Sequence, residues 1–307
     1  MPPTLKQLRY LVAVADTLHF RRAAELSHVS QPTLSGQLRE LEQRLGAQLV
    51  ERSRTRVVLT PLGKEITARA RLILREVQDL QDVARQGASL FGGMLRLGTL
   101  PTLGPYLLPH VLPELHRRYP QLRLYVREGM PQTLRGDLED GKLDLLIFPL
   151  PAAGADLRSL PLLREPLLVA AARDHPLAGK AWIERADLKD QTVLALERGH
   201  RLRDQVQALC EDFGARLALD YEGTSLDTLR QMVGMGMGIS FLPALYVRSE
   251  IPKDSDVVTR PLRRKPPSRT IGLVWRRQSA RGGDYAALAA ALRAILRGKV
   301  PEITVLG

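Results

Sequence analysis

The chain has very little cysteine: Cys210 is the one thiol among 307 residues. This excludes a disulfide framework and a CxxC zinc or thioredoxin site, so a reducing cytoplasm is the expected compartment. No apolar run approaches the roughly 20 residues that span a bilayer. The N-terminus also lacks the small-residue cleavage site of a signal peptide. We therefore expect a cytoplasmic protein without a membrane partner.

Signatures of catalysis are also missing. The chain has no GxSxG and no P-loop, and GMGMG (234–238) follows a predicted helix, the reverse of a dinucleotide-binding fingerprint. We therefore expect no enzyme activity, no cofactor and no metal. The six histidines are scattered without metal-ligand spacing: His19, His28, His110, His116, His175 and His200.

Acidic residues are in the minority, with 33 Asp and Glu against 45 Lys and Arg and a net charge of +12. Such an excess predicts an anionic partner, with nucleic acid first. The excess is uneven, because residues 1–60 carry nine basic and five acidic side chains whereas residues 252–281 carry nine and two. Bulk charge alone therefore does not locate a DNA site.

The most informative segment is LHFRRAAELSHVSQPTLSGQLRELEQRLG (18–46). A short helix ends near Leu26, Ser30 is a good N-cap for a second helix, and Gly46 ends that helix. One apolar stripe at spacings of 4, 3 and 4 is formed by Leu34, Leu38, Leu41 and Leu45. This pattern predicts a helix-turn-helix, with an ordinary helical hairpin as the alternative.

The next stretch, AQLVERSRTRVVLTP, predicts a two-stranded hairpin that acts as a wing on DNA. The second helix would present its polar side chains to base edges in the major groove, while wing arginines hold the phosphate backbone. The predicted DNA-binding residues are Gln31, Pro32, Thr33, Ser35, Gln37, Arg39, Arg52 and Arg54.

A long helix opens at Thr60-Pro61, and its apolar residues recur at alternating spacings of 4 and 3. This heptad-like seam predicts pairing with a second copy, hence a homodimer on a roughly palindromic site. Packing against the chain's own C-terminal domain is the alternative, although GASLFGGM (87–94) is typical of a hinge. The seam consists of Leu62, Ile66, Ala70, Ile73, Val77, Leu80 and Ala84.

From Met94 onward, short apolar runs such as LRLGTL and TIGLVWR alternate with helical patterns. Alternation of this kind predicts parallel sheets with crossover helices, in two α/β lobes with a ligand cleft between them. The predicted fold class is α+β overall. The predicted domains are a winged helix-turn-helix (1–60), a dimerisation helix (61–91) and an effector domain (92–307), with lobe I about 92–164 and 269–300 and lobe II about 165–268.

The N-terminal segments LRYLVAVADTLHFRRAAELSHVSQPTLSGQLRELEQRLGAQLVER and LTPLG resemble the LysR-type transcriptional regulators. PTLGPYLLPHVLPELH, GHRLRDQ, TSLDTLRQMV and RTIGLVWR narrow the resemblance to the hydrogen peroxide sensors of that family. The resemblance implies a periplasmic-binding-protein-like effector domain and a homodimer or homotetramer. It also implies promoter DNA and RNA polymerase as partners, with oxidative-stress genes as targets.

In those sensors a reacting cysteine follows the histidine of a Gly-His-Cys-Leu-Arg-Asp stretch, and a resolving cysteine lies nine residues later. Here Arg201 stands in place of the reacting thiol and Cys210 aligns with the resolving position, so an intramolecular disulfide switch is excluded. A second pocket threonine of the family falls at Pro131. The resemblance assigns the effector pocket to Thr102, His200, Arg203 and Asp204.

The residues around Cys210 allow two interpretations. In a helix, Cys210 would be an inert buried thiol near Glu211 and a helix C-terminus. In a loop, His200, Arg201 and Arg203 would fold over the thiol and lower its pKa. The hypothesis that we adopt is a peroxide-sensing regulator with Cys210 as its redox residue. The alternatives are a metabolite-responsive regulator in which Cys210 is structural, and a small-molecule-binding module or enzyme without a DNA role.

Overall fold

The computed structural model describes residues 2–52, 57–86, 93–152 and 154–307. The chain divides into two compact units. The N-terminal unit contains the first helices and a hairpin and also includes Glu139–Leu143, and the C-terminal unit comprises Gly93–Leu138 and Asp144–Gly307.

The N-terminal unit has the predicted helix-turn-helix followed by a hairpin and a long helix. Ser30 caps the second helix of the motif by accepting a hydrogen bond from the Thr33 amide, and Gly46 ends it in the left-handed region with φ 65°. The Thr60 hydroxyl accepts from the Gly63 amide at the start of the long helix. The elements are α1 (Leu5–Thr17), α2 (Phe20–Leu26), α3 (Gln31–Leu45), β1 (Val50–Arg52), β2 (Val57–Leu59) and α4 (Pro61–Gln86).

The leucine stripe of α3 anchors it in the core of this unit. Leu34, Leu38 and Leu41 are fully buried, whereas Leu45 is 36% exposed and, contrary to the prediction, does not belong to the buried stripe. The hairpin is antiparallel as predicted, with Val50 opposite Leu59. Its tip, residues 53–56, lies outside the described residues.

The apolar seam of α4 is divided rather than continuous, which corrects the prediction of a single stripe. Ala70 is buried in the unit's own core, and Ile66 packs against that core. Leu62, Ile73 and Leu80 are 43%, 47% and 69% exposed. The side chain of Ala84 lies outside the described residues. The exposed members therefore remain available for a partner helix.

The C-terminal unit alternates strands and helices as predicted, with additional short elements. Its first part contains β3 (Gly93–Thr99), α5 (Gly104–Arg118), β4 (Leu122–Glu128), α6 (Pro131–Glu139), β5 (Leu145–Leu150) and β6 (Leu157–Ala172). Two short 3-10 helices, Pro176–Gly179 and Arg185–Leu188, follow. The rest comprises β7 (Thr192–Leu196), α7 (Arg201–Phe213), β8 (Arg216–Gly223), α8 (Leu226–Gly234), β9 (Ser240–Pro243), α9 (Ala244–Glu250), β10 (Val257–Arg260), β11 (Ser268–Arg276), α10 (Gly282–Leu296) and β12 (Thr304–Val305).

The main sheet is mixed, whereas the sequence predicted parallel sheets. Its order is β10-β6-β11-β5-β3-β4, with β3 parallel to both β4 and β5. Strand β11 runs antiparallel to β5 and β6, and β6 is antiparallel to β9 and β10. Strand β11 therefore runs opposite to its neighbours, whereas a simple β-α-β repeat would make all strands of the sheet parallel.

The long strand β6 joins the two lobes of this unit by exchanging partners. It pairs with β11 up to Pro166 and with β9 from Leu167 onward. The second lobe has its own core, in which the parallel pair β7-β8 contributes Val193 and Leu196. Among the helices of the described ranges, none combines the length and the apolar character of a membrane span.

Candidate functional site

Helix α3 presents a polar surface opposite its buried leucines. Gln31, Pro32, Thr33 and Arg39 are exposed. The Thr33 and Ser30 hydroxyls share a hydrogen bond of 2.7 Å. Short side chains on a rigidly packed helix have the size and hydrogen-bonding capacity to contact base edges in a major groove.

Two further predicted DNA contacts lie partly buried on the same helix. Ser35 and Gln37 have intermediate exposure. The Gln37 amide Nε2 donates to Glu40 Oε2 at 3.0 Å, so this side chain is held along the helix. A contact between Gln37 and a base would have to compete with that hydrogen bond.

Glu42 connects α3 to the wing, and sequence reasoning did not single it out. Its Oε1 accepts hydrogen bonds from the Leu49 amide at 2.9 Å and the Val50 amide at 3.1 Å. These bonds fix the start of β1 relative to α3. Arg52 ends β1, but its side chain and the whole of Arg54 lie outside the described residues.

Thr102 belongs to a buried polar cluster in the C-terminal unit. The Arg269 guanidinium donates to the Thr102 hydroxyl at 3.2 Å and to the Thr102 carbonyl at 2.7 Å. Arg269 also pairs with Glu165 at 2.8 Å, and Glu165 accepts from the Leu245 amide at 2.9 Å. In these bonds the Thr102 hydroxyl and carbonyl both act as acceptors, and the side chain is buried with the cluster.

The cluster joins the two lobes where β6 and β11 leave one another. Glu165 is fully buried, Thr102 is 4% exposed and Arg269 is 5% exposed. A buried carboxylate needs such a partner, because an unpaired charge in a protein interior is strongly unfavourable. Arg269 and Glu165 were not predicted, and their separation in the sequence explains why.

The start of α7 holds three of the residues that the sequence placed in the pocket. His200 is 5% exposed, with its Nε2 3.8 Å from Glu197 Oε1. Arg203 is also buried and donates to the Leu196 carbonyl at 2.9 Å and to Glu222 at 2.8 Å. Asp204 is exposed in the first helical turn.

Arg201, which replaces the expected reacting thiol, reaches from α7 to the loop after β5. Its Nη2 donates to the Pro151 carbonyl at 3.2 Å. The position therefore provides a fixed positive charge and a contact between the lobes. It cannot provide a nucleophile.

Cys210 lies on α7 beside a surface cleft of about 620 Å³. The cleft is lined by Arg198, Arg203, Asp204, Gln207, Cys210, Glu211, Ala215, Leu217 and Leu219. Cys210 itself is only 3% exposed and belongs to the core of the second lobe with Leu202 and Val206. The thiol is thus close to the cleft but covered.

The environment of Cys210 disfavours its thiolate. Burial, and then the nearby Glu211 carboxylate, raise the pKa of the thiol to about 11. The segment is a helix throughout Arg201–Phe213, so the loop in which the three cations fold over the sulfur is not formed. Of the two interpretations, the helical one is observed, because the apolar side of the segment satisfies the helical repeat and packs into the core.

The predicted pocket residues therefore fall into separate groups. Arg203, Asp204 and Cys210 line the same cleft, whereas His200 is buried beside Glu197. Thr102 belongs to the Arg269 cluster, and among the described contacts none joins it to Cys210. The structure thus shows one cleft beside the thiol and one closed polar cluster between the lobes.

Comparisons with known proteins agree with this architecture. Residues 5–64 match the family described as bacterial regulatory helix-turn-helix protein, lysR family, and residues 88–297 match the LysR substrate binding domain. The chain is 44% identical over 299 residues to the DNA-binding transcriptional dual regulator OxyR of Escherichia coli strain K12, covering 97% of this chain and 98% of the relative.

Solved structures show the same likeness. A full-length OxyR variant from Pseudomonas aeruginosa is similar with a TM-score of 0.83 and 39% identity, covering 99% of this chain and 98% of that one. A hydrogen-peroxide-bound OxyR mutant from Corynebacterium glutamicum is similar with a TM-score of 0.67 and 33% identity, covering 98% and 96%.

Proposed function

The chain belongs to the LysR family of bacterial helix-turn-helix regulators, and from that premise we propose that it senses hydrogen peroxide through Cys210. In this proposal it is a cytoplasmic homodimer or homotetramer. It binds promoter DNA, contacts RNA polymerase and controls oxidative-stress genes. Its sole redox residue is the Cys210 thiol.

DNA recognition is assigned to the polar side of α3 and to the wing. The exposed Gln31, Thr33 and Arg39 support a role at base edges, because the leucines behind them hold the helix rigidly. Pro32, Ser35 and Gln37 complete the proposed groove surface. Arg52 and Arg54 are proposed to contact the phosphate backbone, as basic wing residues commonly do.

The observation that carries the peroxide assignment is the position of Cys210 at the wall of the α7–β8 cleft. Because Cys210 is one of the residues that line this cleft, a small oxidant that enters it would come close to the thiol. Arg203 and Asp204 lie on the same cleft, which supports their assignment to the effector pocket. His200 and Thr102 would join it only after the contacts around them rearrange. The similarity to OxyR adds support from the relatives.

The proposed chemistry ends at a sulfenic acid. The Cys210 sulfur attacks one oxygen of hydrogen peroxide, the O–O bond breaks, and the sulfur is oxidised while the peroxide is reduced. The thiol proton and the departing hydroxide form water. No second thiol is present in the chain to complete a disulfide, so the oxidised form persists until an external reductant restores it.

The burial of the thiol provides the link to regulation. A sulfenic acid at this site places an extra polar oxygen among Leu202 and Val206, at a cost of about 1–3 kcal/mol if it finds no partner. Oxidation would therefore favour a conformation in which α7 is displaced. We propose that this shift changes contacts at the lobe boundary and reorients the DNA-binding heads.

A reporter experiment in cells tests the thiol directly. Replacing the wild-type gene with Cys210→Ser should abolish the transcriptional response to added peroxide while leaving the protein folded and bound to DNA. The matched control is Ser249→Ala, which changes an exposed hydroxyl on α9. An unchanged peroxide response in the Cys210→Ser strain would contradict the assignment.

A metabolite-responsive regulator is the second candidate, and one observation favours it. Arg201 places a cation between the lobes, where an organic anion could replace its bond to the Pro151 carbonyl. In that case Cys210 is a packing residue and Cys210→Ser has no effect on the response. Arg201→Gln would then abolish regulation. Under the peroxide proposal, the Arg201→Gln variant should still respond to oxidant.

A further inference from the structure

The C-terminal unit carries a basic surface that the DNA-binding head and the thiol do not account for. Residues 257–268 contain four basic and no acidic side chains. The surface is formed where this segment runs beside residues 178–184. We name it the basic patch, and it consists of Lys180, Trp182, Arg260, Arg263, Arg264 and Lys265.

Backbone contacts make the two segments of the basic patch continuous. Ile183 and Leu262 form a parallel bridge, the Ile183 amide donates to the Pro261 carbonyl at 2.9 Å, and the Arg263 amide donates to the Ile183 carbonyl at 3.1 Å. Arg260 adds a bond of 2.8 Å from its Nη2 to the Ala178 carbonyl. The patch is therefore built on paired backbone rather than on a free loop.

The charges of the basic patch are only partly balanced. Lys180 pairs with Asp187 at 2.6 Å, and Arg263 pairs with Glu184 at 2.9 Å. Among the described contacts, Arg260, Arg264 and Lys265 have no carboxylate partner. Arg264 and Lys265 are exposed on the turn that follows Arg263. The surface thus retains an excess of positive charge.

An aromatic ring lies within this positive surface. Trp182 is 46% exposed, and the Arg263 guanidinium carbon lies 4.8 Å from its ring centroid. Stacking on the indole holds the guanidinium in place, while Glu184 fixes its other side. An exposed indole among arginines is a surface on which a sugar-phosphate backbone can lie, with cations at the phosphates.

We propose that the basic patch is a second, sequence-independent contact with the phosphate backbone of duplex DNA. The inference rests on DNA binding by the head and does not depend on the chemistry of Cys210. Once the head has bound, the tethered C-terminal unit meets duplex at a high effective concentration, so weak phosphate contacts contribute to affinity. The contact would engage DNA that flanks the sequence read by α3.

The test compares full-length wild-type protein with Arg264→Gln/Lys265→Gln on a labelled duplex of about 60 base pairs and arbitrary sequence. Binding is measured by fluorescence anisotropy between about 50 and 200 mM salt, where each phosphate contact adds roughly 0.9 to the slope of log K against log salt. Losing two contacts per chain should lower the magnitude of that slope by about 1.8 for each protomer bound, hence by about 3.6 for a dimer. The matched control is Arg158→Gln/Arg277→Gln, which removes two exposed cations from the other lobe and should leave the slope unchanged.

Tryptophan fluorescence supplies an independent readout. The chain has two tryptophans, and the other one, Trp275, is 4% exposed. Duplex should protect Trp182 from quenching by acrylamide in the wild type, and the protection should be smaller in Arg264→Gln/Lys265→Gln. Trp182→Phe reports the residual signal of Trp275.

Each outcome has a defined meaning. Binding with an unchanged slope and unprotected Trp182 overturns the proposal for the patch while leaving DNA binding by the head intact. Failure of the whole chain to bind duplex overturns both. Protection of Trp182 by purified RNA polymerase but not by duplex also overturns the proposal, since the patch would then recognise an acidic protein surface.

Discussion

The Cys210 thiol resists ionisation in the folded protein. Burial and then the Glu211 carboxylate raise its pKa to about 11 from an ordinary value of 9.0. A shift of this size reduces the thiolate fraction at neutral pH by about 100-fold. We therefore expect iodoacetamide to alkylate Cys210 at about pH 7.5 at least about 100-fold more slowly in the folded protein than in urea. Mass spectrometry of quenched time points measures both rates, and equal rates would show that the thiol is not covered.

The same shift has a consequence for stability. Because the folded-state pKa is above the unfolded-state value, the contribution of the neutral thiol is complete below about pH 9 and is lost as pH rises toward about 11. The free energy of unfolding should therefore fall over that interval more steeply in the wild type than in Cys210→Ser. Urea titrations at several pH values measure the free energy of unfolding of both proteins. If it falls equally with pH in the wild type and in Cys210→Ser, the raised pKa of Cys210 is contradicted.

Arg269 is the residue on which the closed interlobe cluster depends. Its replacement by alanine leaves Glu165 buried and unpaired, which costs about 3–5 kcal/mol. Thr102→Val removes a single hydrogen-bond partner from the same cluster and should cost about 1 kcal/mol. Urea unfolding of both variants measures which substitution lowers the free energy of unfolding more. A smaller loss for Arg269→Ala than for Thr102→Val would contradict the pairing.

Among the elements, those with local signals could be predicted and those defined by distant contacts could not. Helix α3 has its N-cap, its leucine spacing and its terminal glycine within 17 residues of sequence, 30–46, and it forms with the bounds that these residues indicate. The interaction of Thr102 with Arg269 spans 167 positions. No local pattern marks such a pair.

Strand β6 shows how tertiary context overrides a local rule. The apolar run LLVAA (167–171) is typical of a strand, whereas Pro161 and Pro166 before it are unfavourable inside a sheet. The observed strand begins at Leu157. Pro161 lies opposite Gly272 at a bulge, and a Cβ added to Gly272 would lie 2.5 Å from the Leu160 carbonyl oxygen. Pro166 lies where β6 exchanges β11 for β9 as its partner.

The junction of the wing with α4 depends on one glycine. A Cβ at Gly63 would lie 2.0 Å from the Leu49 carbonyl oxygen, so Gly63→Ala must displace backbone. We expect a loss of about 2 kcal/mol in the stability of the N-terminal unit and weaker DNA binding. Gly36→Ala is the control, since a Cβ added at this position of α3 would meet nothing within 4 Å. Thermal unfolding that ranks the two variants equally would contradict the close approach.

For the whole molecule, the exposed apolar residues of α4 predict self-association. Ile73 and Leu80 are 47% and 69% exposed in the single chain. Ile73→Glu/Leu80→Glu should convert the oligomer to a monomer, since charge at a helix seam opposes pairing. Sedimentation velocity checks the mass, with Leu26→Glu as an exposed control outside α4. An oligomer that survives the double change would assign self-association to another surface.

The most direct test of the central claim is a footprint of the purified protein on a target promoter, with and without mild peroxide, followed by mass spectrometry of the same sample. We predict that the footprint changes as Cys210 gains a single oxygen, and that Cys210→Ser gives one footprint under both conditions. A wild-type footprint that stays constant while Cys210 is oxidised, or that changes while Cys210 remains a thiol, would contradict the account.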